Sequence, residues 1–301
     1  ARCAALNIPE SVLPQIHDSS GVIGAATALP GSPPIAGIAG DQQASLVGQG
    51  CLRPGTAKAT FGTGGMLDCA IGAEQPAFAE RGTAGTFPMV AWSTRSAGLT
   101  WGVEAVMLSA GTCVEWLRDD LGIVESAAET DALAGSVADA GGVYFVPALL
   151  GLGTPVWDFG ARGTLLGITR GTTRAEIVRA VLEGVAHRGA DLLEALVADS
   201  GRDVTALRVD GGMSANATFV QALANTTARP IEVAPVTEAT TLGAAYLAGT
   251  AVGVWPSLEA TSALRQPRAV VEPTRRVDRE RWLDARGRAE RTIPELSAIN
   301  F

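Results

Sequence analysis

The sequence is poor in the residues that metal centres, disulfide frameworks and catalytic triads require. Its 301 residues include four cysteines and two histidines. The cysteines are widely spaced and form no Cys-x-x-Cys pair, so they indicate reduced thiols in a cytoplasmic protein rather than a disulfide framework or a zinc site. With so few histidines, a histidine-based metal site or triad is not expected either.

Long apolar runs and an excess of positive charge are also missing. No apolar run reaches the length of a membrane-spanning helix, and the first residues lack the long apolar centre of a signal peptide. The net charge of −8 argues against nucleic acid or an anionic membrane as the main partner. The chain does have 47% hydrophobic residues and 36 glycines, which predict a sizeable core with many tight turns, in one large domain or two modest ones.

Strand-like and helix-like segments alternate along the chain, which predicts an α/β fold. The strand-like segments are 33–40, 58–72 (two strands around a glycine turn), 86–93 and 98–105 (a hairpin), 142–153 (which starts as a strand and ends in a loop), 206–212 and 230–235. The helix-like segments are 107–122, 174–198, one from about residue 214, 240–253, and a charged surface helix at 275–291. The helix at 174–198 has the clearest limits, because Thr173 and Glu176 can form a capping box and Gly201 can end it.

Three glycine-rich turns each follow a predicted strand: "GIAGDQQ", "FGTGG" and "VDGGMSAN". Glycine lets a ligand approach the backbone closely and lets successive N–H groups point at an anion such as a phosphate. One such turn is a weak signal, since it also serves as an ordinary connection between a strand and a helix. Three in one α/β chain favour a phosphate-binding protein.

The first of these turns carries a single carboxylate, Asp41, followed by the amides Gln42 and Gln43. Spacing alone leaves two interpretations of Asp41 open with equal weight. It can cap a helix that begins with "DQQASLVGQ", or it can accept a proton from an attacking hydroxyl in phosphoryl transfer. Gln42 can likewise bind a second hydroxyl of the same substrate, or it can lie in a solvated first helical turn.

Several segments together resemble one known family. They are "PIAGIAGDQQASLVGQGC", "FGTGGML", "FVPALLGLGTPVWDFGARGTLLGITRGTTRAEIVRAVLEGVAHR", "VDGGMSANATFVQAL" and "TTLGAAYLAG". Over nearly the whole chain, in order and with matching spacing, they resemble the FGGY family of carbohydrate kinases. The block from Gly163 to Glu183 matches the C-terminal signature of that family. The "AGDQQ" form is typical of the members that phosphorylate glycerol.

The resemblance implies a ribonuclease-H-like α/β domain of the actin, Hsp70 and hexokinase ATPase superfamily, and transfer of the γ-phosphoryl group of Mg·ATP to glycerol. Asp41 then matches the catalytic base, which also contacts glycerol, and Gln42 matches a glycerol-binding amide. Met66 stands where these enzymes usually place a phenylalanine against glycerol. Two alternatives remain: a truncated nucleotide-binding module without turnover, or a kinase for another polyol or ketose.

The resemblance also assigns a set of nucleotide-binding residues. They are Gly62, Thr63, Gly64, Gly111, Glu115, Gly212 and Asn216. Glu115 departs from the family, which often has glutamine there. The cofactors implied are ATP and Mg²⁺, and no metal-ligating residue is assigned to this chain.

Family members are much longer than this chain. Residues 1–45 match the end of their N-terminal domain, including the catalytic acid, and residues 46–301 match their C-terminal nucleotide-binding domain. The expected partners are glycerol and ATP, with no nucleic acid and no membrane. By the same resemblance, the full-length enzyme is expected to form a homo-oligomer, a dimer or a tetramer, in the cytoplasm.

Overall fold

The protein was analysed as a computed structural model that describes residues 2–236 and 238–299. Its strands are β1 (Ser20–Ala25), β2 (Pro34–Gly37), β3 (Ala57–Phe61), β4 (Gly65–Gly72), β5 (Phe87–Thr94), β6 (Gly98–Met107), β7 (Tyr144–Val146), β8 (Thr164–Leu166), β9 (Leu207–Asp210), β10 (Ile231–Val233) and β11 (Ala269–Val271). Its helices are α1 (Arg2–Ala5), α2 (Asp41–Gly48), α3 (Gly111–Glu115), α4 (Glu129–Gly135), α5 (Arg174–Ser200), α6 (Ala217–Thr227), α7 (Ala239–Ala251), α8 (Leu258–Thr261), α9 (Glu280–Ala289) and α10 (Pro294–Ser297).

Among the described residues, nine strands form one mixed sheet in the order β11-β10-β9-β3-β4-β6-β5-β1-β2. The strands β3, β4, β6 and β5 are neighbours that run antiparallel, whereas β9 is parallel to both β3 and β10. The predicted hairpins at 58–72 and 86–105 are both confirmed. The strands β7 and β8 pair separately, as an antiparallel ribbon.

Helices cover both faces of the large sheet, because strands such as β3 direct side chains to be buried toward each face in turn. Ala57, Ala59 and Phe61 belong to the main core, which also contains the apolar side chains of α5 and α6. Successive strand residues point to opposite faces, so Lys58 and Thr60 lie on the other face. There α2 and α7 pack together over a second apolar cluster that includes Leu46, Val47, Tyr246 and Leu247. The predicted α/β class is confirmed.

The long helix α5 begins and ends as the sequence predicts. The Thr173 hydroxyl accepts a hydrogen bond from the Ala175 N–H at 3.2 Å, and the Glu176 carboxylate accepts one from the Thr173 N–H at 2.9 Å. Gly201 ends the helix with a φ of 63°, a left-handed conformation that glycine adopts without strain. These caps hold in place the helix that covers the centre of the sheet.

The charged segment 275–291 differs from its prediction as a solvated surface helix. Helix α9 begins only at Glu280, and Trp282 is fully buried. Asp191, buried within α5, pairs with Arg188 at 2.6 Å, with Arg286 at 3.1 Å and with Arg279. Burial raises the pKa of Asp191, but these guanidinium groups outweigh burial and hold the pKa below its usual value. Part of the arginine-rich segment therefore anchors helix α9 to helix α5.

The first predicted strand is shorter than expected. Strand β2 ends at Gly37, and three residues separate it from Asp41, the first residue of helix α2. The domain boundary expected after residue 45 falls inside α2 and stays a prediction. No helix in the described part of the chain is both long and apolar enough to cross a membrane.

Candidate active site

A cavity of about 320 Å³ opens where the β3–β4 turn, the start of α3 and the turn after β9 meet. Its walls come from elements that are far apart in the sequence. They are Phe61, Gly62, Thr63, Gly111, Val114, Glu115, Arg118, Ala127, Thr130, Leu182, Gly212, Met213 and Asn216. Six of the seven residues that the sequence assigns to nucleotide binding therefore line one cavity.

Backbone hydrogen bonds fix the β3–β4 turn against α3. The Gly111 N–H donates to the Gly62 carbonyl at 2.8 Å, and the Ala110 N–H donates to the Thr63 carbonyl at 2.9 Å. A Cβ on Gly111 would lie only 2.5 Å from the Gly62 oxygen, so this close approach requires glycine. The Thr63 side chain remains exposed at the tip of the turn.

The turn after β9 approaches the same place from the other side. Gly211 has a φ of 86°, and a Cβ there would lie 2.5 Å from the carbonyl oxygen of Phe61. Glycine is thus required for β9 to pass so close to the end of β3. The next residue, Gly212, faces open space, because a Cβ on it would have no neighbour within 4 Å. Gly62 is open in the same way, so both leave room for a ligand against the backbone.

Asn216 has two structural partners in addition to its place in the cavity wall. Its Oδ1 accepts from the Phe219 N–H at 2.8 Å and so caps α6, and its Nδ2 donates to the Thr130 hydroxyl at 3.0 Å. The side chain therefore fixes the start of α6 relative to α4. Replacing it would change helix stability as well as the cavity.

The remaining cavity wall divides into an apolar part and a charged rim. Phe61, Val114, Leu182 and Met213 give an apolar surface of the kind that binds flat organic rings. The rim carries Glu115 and Arg118, and the Arg118 guanidinium pairs with Asp119 at 2.6 Å. Sequence reasoning missed Arg118, although its position three residues after Glu115 in the helical pattern places it on the same side.

One predicted nucleotide-binding residue, Gly64, does not line the cavity. A Cβ on Gly64 would lie 2.8 Å from the carbonyl oxygen of Met107, so this glycine allows the β3–β4 turn to pack against the end of β6. Its role in the structure is to support Gly62 and Thr63.

Asp41, Gln42 and Met66 also lie outside this cavity, on the side of the sheet that α2 covers. Asp41 is exposed in the first turn of α2, and its Oδ1 accepts from the Gln42 N–H at 2.9 Å. The N-cap residue is Gly40, so Asp41 does not occupy the capping position that was its structural alternative. Its carboxylate is exposed at a helix N-terminus, where negative charge is favoured.

A buried ionic group lies beneath Gln42. The Lys58 ammonium is 2.7 Å from Asp68 Oδ2 and 3.1 Å from the Thr60 hydroxyl, and it also donates to Gln42 Oε1. Burial raises the pKa of Asp68, and the Lys58 charge opposes that shift. Met66 is the cross-strand neighbour of Thr60, so it lies on the same face of the sheet as this group.

Glu104 extends this group of acids across the sheet. It is the cross-strand partner of Asp68. Burial, followed by the charges of Asp68 and Asp41, raises its pKa to about 7, and Lys58 counteracts only part of this. Within residues 2–236 and 238–299, no group of three or more histidine, cysteine or acidic side chains is arranged to hold a metal ion.

The two candidate regions meet at strand β3. Lys58 and Thr60 face the α2 side, whereas Phe61, Gly62 and Thr63 continue into the cavity wall. Strand β3 therefore carries both Lys58, which contacts Gln42, and Phe61, which lines the cavity.

A mixed sheet covered by helices on both faces, with a glycine-lined cavity at the turn between two strands, defines the class: an α/β domain of the actin and hexokinase-like ATPases. Within that class, the chain belongs to the FGGY family of carbohydrate kinases, because the model of that family's C-terminal domain matches residues 57–252. The resemblance seen in the sequence is thereby confirmed.

Individual relatives agree with this assignment. A glycerol kinase from Bordetella parapertussis is 46% identical over 292 residues, which are 94% of this chain and 57% of that enzyme. The crystal structure of Plasmodium falciparum glycerol kinase with ADP is 32% identical with a TM-score of 0.85, covering 99% of this chain and 59% of that one. A xylulose kinase from Brucella ovis is 29% identical with a TM-score of 0.77, covering 95% and 57%. The chain thus spans little more than half the length of these relatives.

Proposed function

We propose that this chain is the nucleotide-binding part of a kinase that transfers the γ-phosphoryl group of ATP to glycerol. The observation that carries the proposal is the convergence of Gly62, Thr63, Gly111, Gly212 and Asn216 on one cavity, although they come from three separate segments. The relatives named glycerol kinase, and the "AGDQQ" segment at Asp41, favour glycerol over other polyols.

The cavity suits the two halves of an adenine nucleotide. The apolar wall at Val114, Leu182 and Met213 provides a surface for the base. The turn at Gly62 and Thr63 offers backbone N–H groups and a hydroxyl, which are donors that phosphate oxygens accept. We assign the base to the Met213 side and the phosphates to the Thr63 side.

The reaction requires a base beside the attacking hydroxyl, and we assign that role to Asp41. Its carboxylate accepts the proton as the substrate oxygen forms a bond to the γ-phosphorus, while the bond from that phosphorus to the bridging oxygen breaks and ADP leaves. Gln42 binds a neighbouring hydroxyl and Met66 packs against the carbon chain. Positioning of both reactants supplies most of the rate in this type of reaction.

The described residues include no group of three or more histidine, cysteine or acidic side chains placed to hold a metal ion. Mg²⁺ typically binds through substrate phosphates and water with only one or two carboxylates. We therefore treat the ion as part of the Mg·ATP substrate and assign no step to it. The homo-oligomeric state and the cytoplasmic location remain predictions.

A second candidate is a nucleotide-binding module without turnover. This chain supplies a complete wall of residues around the cavity, whereas only Asp41, Gln42 and Met66 are assigned to the substrate. The chain also covers only 57% of the glycerol kinase from Bordetella parapertussis. On this view the 301 residues bind ADP or ATP with a dissociation constant of roughly micromolar to millimolar, about −8 to −4 kcal/mol, without transferring phosphate.

A coupled assay of ADP release separates the two candidates. It is run with ATP, with and without glycerol, on this chain and on the longest native form of the protein. Glycerol-dependent ADP release by the longer form alone supports the kinase and assigns binding without turnover to this chain. No glycerol-dependent release from either form, although calorimetry detects nucleotide binding, would contradict the kinase and leave the binding module.

A further inference from the structure

The chain has a single lysine among its 23 lysine and arginine residues, and that lysine is buried. Lys58 is the second residue of β3, and neither its side chain nor that of its partner Asp68 is exposed to solvent. A buried charge is costly unless it is paired and hydrogen-bonded, so such a residue needs a reason in the structure. The ordinary basic positions of the surface are all arginines.

Lys58 combines one ion pair with two hydrogen bonds. A lysine ammonium has three N–H donors and no acceptor. Here it pairs with the Asp68 carboxylate at 2.7 Å, and it donates hydrogen bonds to the Thr60 hydroxyl at 3.1 Å and to the Oε1 atom of Gln42. Asp68 compensates the charge, because it is the cross-strand neighbour of Lys58. The contact with Gln42 is therefore not needed to balance the charge, and it can orient the Gln42 amide.

This contact settles which way the Gln42 amide faces. An ammonium has no lone pair to offer an NH₂ group, so only the amide oxygen can face Lys58. Nε2 must then point away, and in the part of the chain that the structure describes no atom accepts its protons. The half-buried Gln42 side chain thus presents two free donors next to the Asp41 carboxylate, which is an acceptor.

We propose that Lys58 is a positioning residue that locks the Gln42 amide with its NH₂ group toward the substrate. The site then selects a polyol in which the hydroxyl beside the reacting one accepts a hydrogen bond from Gln42 while the reacting hydroxyl donates to Asp41. This inference rests on the proposed kinase function. It adds an orientation requirement: the second hydroxyl must offer its oxygen, so an analogue without an acceptor at that carbon binds poorly.

Lysine suits this position better than arginine does. The planar guanidinium directs its donors in one fork, whereas the ammonium directs three protons toward three separate partners. Asp68, Thr60 and Gln42 come from three different elements around the buried Lys58 side chain, an arrangement that suits a compact ammonium. The presence of a lysine here, in a chain whose other basic residues are arginines, agrees with that geometry.

The kinetic test uses a substitution that keeps the fold. Lys58→Met alone would leave Asp68 buried without a counter-charge, so the variant is Lys58→Met with Asp68→Leu, an apolar pair of similar volume that buried ion pairs often tolerate. In the longest native form we expect the KM for glycerol to rise about 3–10-fold, the scale of one hydrogen bond. The kcat should stay within about 3-fold, since Asp41 is untouched, and the KM for ATP should not change.

A mutant cycle with Gln42→Ala shows whether Lys58 acts through the amide. If it does, the triple variant has the same glycerol KM as Gln42→Ala alone, because the amide that Lys58 orients is gone. Additive increases in KM, or an unchanged KM in the Lys58→Met/Asp68→Leu variant, would overturn the proposal. A merely structural role would lower kcat and stability without this non-additivity.

A second measurement on the 301-residue chain needs no activity. With ¹³Cε-labelled lysine, the single lysine gives a single methylene signal in an NMR spectrum. Gln42→Leu should shift that signal, and Gln221→Leu, which removes a remote glutamine, should not. An unshifted signal in Gln42→Leu would overturn the positioning role. Wild-type protein that phosphorylates no glycerol would instead refute the proposed function and the substrate selection, while the lysine signal still decides the positioning.

Discussion

Adding one methyl group to the cavity wall should block the nucleotide without disturbing the fold. A Cβ placed on Gly62 or on Gly212 meets no other atom of the protein within 4 Å. Neither residue has a positive φ, so alanine is compatible with the backbone at both positions. Gly62→Ala and Gly212→Ala should therefore keep the thermal midpoint of the wild-type chain.

The loss of affinity follows from the geometry of the contact. The new carbon extends about 1.5 Å from Cα toward the cavity. A ligand atom in contact with the glycine must retreat by a similar distance, which takes a hydrogen bond of about 2.9 Å beyond its useful range. Losing one hydrogen bond to a charged phosphate costs about 1.5–3 kcal/mol, so the dissociation constant for ADP should rise about 10–150-fold.

The assay is calorimetric titration of each purified chain with ADP, together with a thermal melt. Gly287→Ala is the matched control, because a Cβ on Gly287 in α9 also meets no atom within 4 Å and lies outside the cavity. It should leave ADP affinity unchanged and stabilise the helix by about 0.5–1 kcal/mol. Wild-type affinity in both Gly62→Ala and Gly212→Ala, with normal melts, would refute the placement of the nucleotide.

Three further predictions concern the substrate side and the buried charges. Met66→Phe should keep or raise kcat/KM for glycerol in the longest native form, because an aromatic ring shapes the pocket more firmly than a flexible thioether. A strong loss of kcat/KM for glycerol, with retained activity on a larger polyol, would mean that glycerol is the wrong substrate. Glu104→Gln should stabilise the chain by about 1–2 kcal/mol at pH 8 and not at pH 4, in urea melts. Asp191→Asn should destabilise it by about 3 kcal/mol or more, in urea melts at pH 7, since it leaves the buried Arg188 guanidinium without its counter-charge.

The direction of the Glu104 effect follows from its raised pKa of about 7, against 4.5 for an unperturbed glutamate. The folded chain keeps the proton that the unfolded chain releases, so Glu104 lowers stability as pH rises through this window. Because Glu104 is partly exposed to water, its effect on the free energy of unfolding is smaller than the full value of about 1.4 kcal/mol per pKa unit. Glu259→Gln is the surface control for Glu104→Gln, and Asp284→Asn is the surface control for Asp191→Asn. If a control changed the free energy of unfolding as much as its test variant does, the role assigned to the buried acid would be contradicted.

Part of the cavity was predictable because its signals are local. Gly62 and Gly212 each lie in a short turn whose glycine spacing can be read without knowing what packs against it, and the fold brings these turns together. Gly111, at the start of α3, was assigned by the family resemblance alone. The capping of α5 by Thr173 and Gly201 was predictable for the same reason, since capping depends on a few consecutive residues.

What the sequence did not reveal depends on register and burial between distant segments. The Lys58–Asp68 pair exists because the β3–β4 register places the two residues opposite each other, and no spacing rule predicts how deeply they are buried. The arginines of 275–291 alternate with acids as on a solvated helix, yet Arg279 and Arg286 reach a buried carboxylate on α5.

The measurement that tests the central claim most directly is the turnover of an Asp41→Asn variant with glycerol and Mg·ATP, made in the longest native form of the protein. Asparagine keeps an oxygen that can accept from the Gln42 N–H, as Asp41 does at 2.9 Å, so the helix start should persist. If Asp41 is the base, kcat should fall by about 10² or more while ADP affinity stays unchanged. A kcat close to that of the wild type would contradict the account, and would leave Asp41 as an acidic residue that merely favours the start of α2.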